Sequence, residues 1–156
     1  MNAEPLLIAG RDVYSAAMAA PLYTRDILRL AASLGEPVVL NRTDGKAERR
    51  AVTCGSRTWV SVMVEGGAVA AVSLRVEACA FGQAAAALMV AGAVGKTAGE
   101  VRAALGRVER WLKGDDAAVT AWPGLAVLDP ARARGGRHGA ILLPFQALLG
   151  AIEAAA

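Results

Sequence analysis

Two runs of β-branched and small residues, "RTWVSVMVE" (57–65) and "AVAAVSLRVE" (68–77), are separated only by Gly66-Gly67. Strand-like runs joined by two glycines predict a β-hairpin, because glycine accepts the positive φ that tight hairpin turns require. Upstream, "YTRDILRLAASLGEP" (23–37) carries Ile27, Leu28, Leu30, Ala31 and Leu34 at helical spacing, with Gly35 and Pro37 placed to end the helix. Between helix and hairpin, "NRTDGKAERR" (41–50) has turn chemistry at Asp44-Gly45 with short strand candidates on either side. A helical stretch over about 79–93 follows the hairpin, and "TAGEVRAALGRVERWLKG" (97–114) predicts another. Thr97 and Glu100 there are spaced as a capping box. Residues 115–137, with Pro123, Pro130 and several glycines, read as irregular. The chain ends in "HGAILLPFQALLGAIEAAA", a helical segment that Pro144 starts or kinks. The first twenty residues are weakly patterned. The order of helix, small antiparallel sheet and further helices predicts an α+β fold.

At 156 residues the chain is about one domain long, with 1–21 read as a loosely ordered extension. Apolar residues make up 55% of it but aromatics only 4%, so alanine carries much of the apolar content and favours closely packed helices. No apolar run approaches the ~18 residues that span a bilayer, and "MNAEPLLIAGRD" lacks a signal-peptide pattern. The expectation is a soluble cytoplasmic protein with no membrane partner. The formal charge is +3, with arginines clustered at "ERR" (48–50) and "ARARGGRH" (131–138). Neither cluster is interleaved with aromatics, so no nucleic-acid partner is expected; solvated charge or a docking patch for an acidic partner is the reading. "GAVGKT" (92–97) is no phosphate loop, since Val90 stands where that motif needs glycine. With one histidine, no Ser–His–carboxylate grouping can be located.

The chemistry concentrates on two cysteines. A two-residue turn with Glu65 opposite Ala68 fixes a register that, continued unbroken, sets Cys54 opposite Cys79. Directly opposed Cβ atoms lie ~5 Å apart, close enough to hold one metal ion or to exchange sulfur. Cys79 opens a helix, whose N-terminal N–H groups favour a thiolate, and Cys54 is followed by Gly55. The competing reading is that both thiols are small hydrophobes in the core. Two thiolates do not complete a metal site. His138 is the candidate third ligand, or else a surface imidazole beside arginines. Ser56 is close in sequence but is a poor ligand when neutral.

These residues resemble the NifU/IscU/SufU family of iron–sulfur cluster assembly scaffolds over roughly 22–153. The resemblance rests on Cys54-Gly55-Ser56 for the family's Cys-Gly-Asp, on the Gly66-Gly67 hairpin, and on "ACAFGQAAA" for its second cysteine opening a small-residue helix. "VGKTAGEVRAAL" and "LYTRDILRLAASLGEP" are similar to further family segments, and the stretch 113–137 is similar to the SufU branch. Two positions depart from the pattern: Ser56 replaces the aspartate, and Ala140 (or Gly139) stands where a third cysteine is expected. The resemblance implies a non-enzymatic scaffold or carrier binding iron or a transient [2Fe-2S] cluster, or zinc, through Cys54, Cys79 and His138. It also implies a cysteine desulfurase and cluster-acceptor proteins as partners. The alternatives are a metal-free interaction protein that keeps the fold, and a sulfurtransferase-like protein with Cys79 as sulfur acceptor.

Overall fold

The computed structural model describes residues 23–52 and 54–156; the extension expected over 1–21 lies outside them. The fold is α+β, a three-stranded antiparallel sheet packed against several helices.

Helix α1, Arg25–Ala32, starts at Thr24, whose hydroxyl accepts the Ile27 N–H at 3.2 Å. Ile27 and Ala31 are buried, but Leu28 is 49% exposed, so the buried stripe is narrower than the spacing of apolar residues suggests. The strands are β1, Gly45–Arg50, β2, Arg57–Glu65, and β3, Ala68–Glu77, in that spatial order. Gly45 begins a strand instead of turning between two. The Asp44 carboxylate accepts the Val64 N–H at 2.8 Å and is paired with Arg42 at 3.0 Å, which ties the segment before Gly45 to β2 as a loop. Gly45 also lies where a side chain would strike the Ala151 carbonyl and Ala155 of the last helix. The chain therefore needs glycine to bring β1 this close.

The Gly66-Gly67 hairpin forms with Glu65 opposite Ala68, both glycines at positive φ. Its register then slips between Met63 and Val64: Val64 pairs with Val69, but Met63 pairs with Ala71. Ala70 is the extra residue, and the bulge lets Val69 and Val72, three apart, both be buried. The ladder ends at Arg57↔Glu77.

Beneath the sheet, Val60, Val62, Val69, Val72 and Leu74 meet α2, Ala80–Ala93, and α4, Gly135–Ala154. Helix α2 is buried on most sides, with Ala84, Ala85 and Ala86 fully enclosed. Its small side chains let α1, α4 and the sheet all approach it. Helix α3, Ala98–Leu112, carries both bonds of the Thr97/Glu100 capping box.

Residues 115–137 are more ordered than their composition suggests. They form two 3₁₀ segments, Asp116–Ala121 and Leu125–Ala131, and bury Trp122, Leu125 and Leu128. Trp122 organises this stretch: its indole N–H donates to the Leu88 carbonyl at 2.7 Å, and its ring meets Phe145 edge-on at 5.0 Å. The indole covers Gly92, where an added Cβ would lie 2.7 Å from Nε1. Helix α4 begins at Gly135, ahead of His138, and runs through Pro144, which is buried within it.

Trp122→Ala is expected to destabilise the protein by about 3–5 kcal/mol in urea unfolding. Gly45→Ala is expected to cost about 1–3 kcal/mol, through overpacking against α4. A loss below about 1 kcal/mol for Trp122→Ala would show that residues 115–137 are not anchored as described.

Candidate functional site

Cys54 is exposed and lies in the connection between β1 and β2, closed by the rung Arg50↔Arg57. Two backbone bonds hold this connection: the Ala51 N–H donates to the Ser56 carbonyl at 2.9 Å, and the Gly55 N–H to the Ala51 carbonyl at 3.0 Å. Gly55 has φ +71°, so the glycine after the cysteine is required by the turn itself. Ser56 is buried, and its hydroxyl oxygen lies 3.1 Å from Cys54 Sγ. That hydrogen bond is the main influence holding the Cys54 thiol below its ordinary pKa. Partial desolvation opposes it, while the Ser56 and Cys54 amides and the Arg137 charge add to it. Where the family pattern has an acid, the chain has a hydroxyl that stabilises the thiolate beside it.

Cys79 is the N-cap residue of α2. Its carbonyl accepts the Gln83 N–H at 2.9 Å to start the helix, while its side chain makes no cap bond. No acidic residue stands in the first turn. The thiol is half-buried and packs against the core.

The bulge alters the expected relation of the two thiols. Below it, the pairing is displaced by one residue, so the continued register would set Cys54 opposite Ala80. The ladder stops short of both cysteines, and the chain turns at Ala51–Ser56 instead of pairing. Direct opposition of Cys54 and Cys79 is therefore not formed. What remains is a shared location. Cys54 precedes Arg57 and Cys79 follows Glu77, and those two residues form the last rung of β2 and β3. Both thiols leave the sheet at the same end.

The start of α4 reaches that end as well. Arg137 is close enough for its charge to act on Cys54. Ala140, buried, faces the first turn of α2: its Cβ lies 3.4 Å from where a Gly82 Cβ would be. His138 Nε2 sits 3.1 Å from the Ala131 carbonyl and 3.0 Å from the Arg132 carbonyl. Carbonyls only accept, so Nε2 carries the proton and Nδ1 holds the lone pair in the neutral ring. Metal-binding histidines commonly have this arrangement, with one nitrogen tied to a backbone carbonyl and the other free to coordinate. Among the described residues, no three His, Cys, Asp or Glu side chains lie within reach of a single ion. Among the described residues the two thiols and His138 do not form an assembled three-ligand site, and the contacts of the His138 ring are to the Ala131 and Arg132 carbonyls. The contributions of Arg137 and of the Ser56 hydroxyl escape sequence reasoning. Arg137 had a signal in the "ARARGGRH" cluster, and Ser56 only its adjacency to the thiol.

No helix among the described residues is long and apolar enough to cross a membrane. Neither a family model nor a curated protein matches the chain. Solved structures do. A nitrogen-fixing NifU-like protein (N-terminal) from Brucella abortus is similar at TM-score 0.72 and 30% identity, covering 85% of this chain and 93% of that one. A candidate iron–sulfur cluster assembly scaffold protein for the SUF system from Fervidobacterium islandicum AW-1 is similar at TM-score 0.73 and 19% identity, covering 84% and 96%. A further protein, of unassigned function, has TM-score 0.71 at 17% identity, covering 88% and 98%. The last two share the fold. With the identity and coverage of the Brucella protein, the chain belongs to the NifU-like family.

Proposed function

We propose that this chain is a non-enzymatic scaffold or carrier in iron–sulfur cluster assembly, holding iron or a [2Fe-2S] cluster as cargo on Cys54 and Cys79. The observation that carries the reading is the delivery of two free thiols, from different elements, to one end of the sheet. The names of the Brucella and Fervidobacterium proteins point the same way. Thiolates suit iron–sulfur cargo and zinc alike, so zinc is a competing ion. His138 Nδ1 is the proposed third ligand, supported by the carbonyls that fix its tautomer. It joins the thiols on loading, since the three are not assembled beforehand. A cysteine desulfurase and cluster-acceptor proteins are the proposed partners, and Cys79 is the candidate sulfur acceptor if transfer uses this chain directly.

A second reading has one observation in its favour. The residues at the family's aspartate and third-cysteine positions are Ser56 and Ala140 (or Gly139), and no three potential ligands gather among the described residues. A member that keeps the fold as a metal-free interaction protein would look like this.

Anaerobic incubation with ferrous iron and sulfide, followed by absorbance and metal analysis, separates the two. Scaffold function predicts a bound, labile cluster that Cys54→Ala and Cys79→Ala each abolish, and whose retention His138→Ala lowers by at least about tenfold. Ala140→Cys, which adds a thiol against the first turn of α2, is expected to lengthen retention. Absence of metal in the wild type, or binding unchanged without the two thiols, contradicts the proposal and leaves the metal-free reading.

Coordination requires the thiolate, so loading depends on pH. Because the Cys54 pKa is lowered, its thiolate persists to lower pH than that of an ordinary cysteine and is lost as pH falls through the shifted value. Ser56→Ala is expected to raise the pH midpoint of Cys54 alkylation, followed by mass spectrometry at each thiol. An unchanged midpoint would remove Ser56 from the site.

A further inference from the structure

In the scaffold reading the arginines of the 48–50 and 131–138 groups, with Arg57 opposite Arg50, have no role beyond the charge that Arg137 sets on Cys54. One of their members is structural: Arg132 donates from Nε to the Trp111 carbonyl at 2.8 Å and pairs with Asp116 at 2.7 Å and Asp129 at 3.3 Å. The others behave differently. Arg50 and Arg57 face each other on the last β1–β2 rung, where directly opposed like charges are unfavourable. Arg134 is the N-cap residue of α4 and Arg137 lies in its first turn, which contains no acidic residue. Cations at a helix N-terminus oppose the helix dipole. Among the described residues none of these four arginines is in an ion pair; Arg25, Arg29, Arg49 and Arg107 are likewise unpaired, so what sets the four apart is their place beside the β1–β2 connection and at the start of α4. Glu77, which stands opposite Arg57, is engaged by Arg75 at 3.6 Å.

Arg50 and Arg57 close the connection that displays Cys54, the charge of Arg137 reaches that thiol, and Arg134 stands three residues before Arg137 at the start of the same helix. Val52, in the same connection as Cys54, is 94% exposed. An exposed aliphatic side chain and a thiol on a projecting connection, bordered by unpaired guanidiniums, have the make-up of a recognition centre for a protein. Arginine is enriched at such centres, and the charge steers a complementary surface on approach. A small anion needs only the charge, and leaves Val52 without a role.

We propose that Arg50, Arg57, Arg134 and Arg137 form a docking rim for an acidic protein surface, with Val52 and Cys54 entering a recess that this surface surrounds. The rim deepens the scaffold reading by naming the chemistry of the partner that meets the thiol. It also stands without cargo, so its test uses metal-free protein.

The probe is a short peptide with two glutamates on either side of a cysteine activated as its 2-thiopyridyl disulfide, compared with the same peptide carrying glutamines. The Cys54 thiolate attacks the peptide's cysteine sulfur, forming a protein–peptide disulfide and releasing thiopyridone, and the product is assigned to Cys54 by mass spectrometry. At ~20 mM salt the glutamate peptide is expected to react about tenfold faster or more, an advantage that ~0.5 M salt removes. Arg→Gln at all four rim positions, with circular dichroism confirming the fold, is expected to abolish the advantage. Arg102→Gln, beside Glu153 at the other end of α4, is expected to preserve it. Equal rates for the two peptides, or an advantage that survives the fourfold variant, overturns the rim. Acceleration of a small dianionic aromatic disulfide without any gain for the glutamate peptide also overturns it, in favour of a small-anion site. Cluster loading is not read in any arm, so failure here leaves the scaffold proposal to its own test.

Discussion

The contact on which the site depends is the approach of α4 to the first turn of α2, where Ala140 faces Gly82. A Cβ at Gly82 would come within 2.6 Å of Ala78 Cβ, so this turn has room only for glycine. Glycine is required here by the chain that enters α2, and Ala140 lies at 3.4 Å, contact distance, which sets the start of the last helix beside the helix that Cys79 opens. The same economy runs along α2, where enclosed alanines and Gly92 under the Trp122 indole bring neighbouring elements close. A core of large side chains would hold these helices farther apart. The high alanine content is thus what puts the α4 N-terminus at the sheet end with the thiols.

The sheet supplies the other half of the arrangement. Gly45 lets β1 lie against the far end of α4, and the β1–β2 connection projects at the opposite end with Cys54 on it. The two thiols are held unequally: Cys79 is half-buried at a helix start, while Cys54 is exposed on a turn. The Ser56 hydroxyl and the Arg137 charge favour the thiolate at the exposed member. The sheet end thus carries one thiol anchored at a helix start and one displayed on a turn.

Much of the fold is legible because its signals are local. Gly66-Gly67 between strand-like runs defines the hairpin, and Thr97 with Glu100 defines the start of α3. The register error also had a local signal. Val69 and Val72 are three apart, and burying both on one face of a strand requires an extra residue between them. Strict alternation ignores that spacing and carries the ladder on to an opposition of thiols that does not form. Residues 115–137 are harder to read, because Trp122, Leu125 and Leu128 are buried without a helical or strand period and are held by partners distant in sequence, Leu88 and Phe145. In the site, the two cysteines are visible from residue type and spacing. The Nε2 bonds of His138 depend on how residues 131 and 132 turn back over it, which no motif encodes.

The central claim is that the sheet end works as a two-thiolate site completed by the His138 imidazole. X-ray absorption at the zinc edge of the stoichiometrically loaded protein tests it most directly, because it counts sulfur and nitrogen neighbours without requiring an intact cluster. The account predicts two sulfur ligands near ~2.3 Å and a histidine nitrogen near ~2.0–2.1 Å, the nitrogen signal being that of imidazole and lost in His138→Ala. A first shell of oxygen and nitrogen alone, or one unchanged when Cys54 and Cys79 are replaced by alanine, would contradict it.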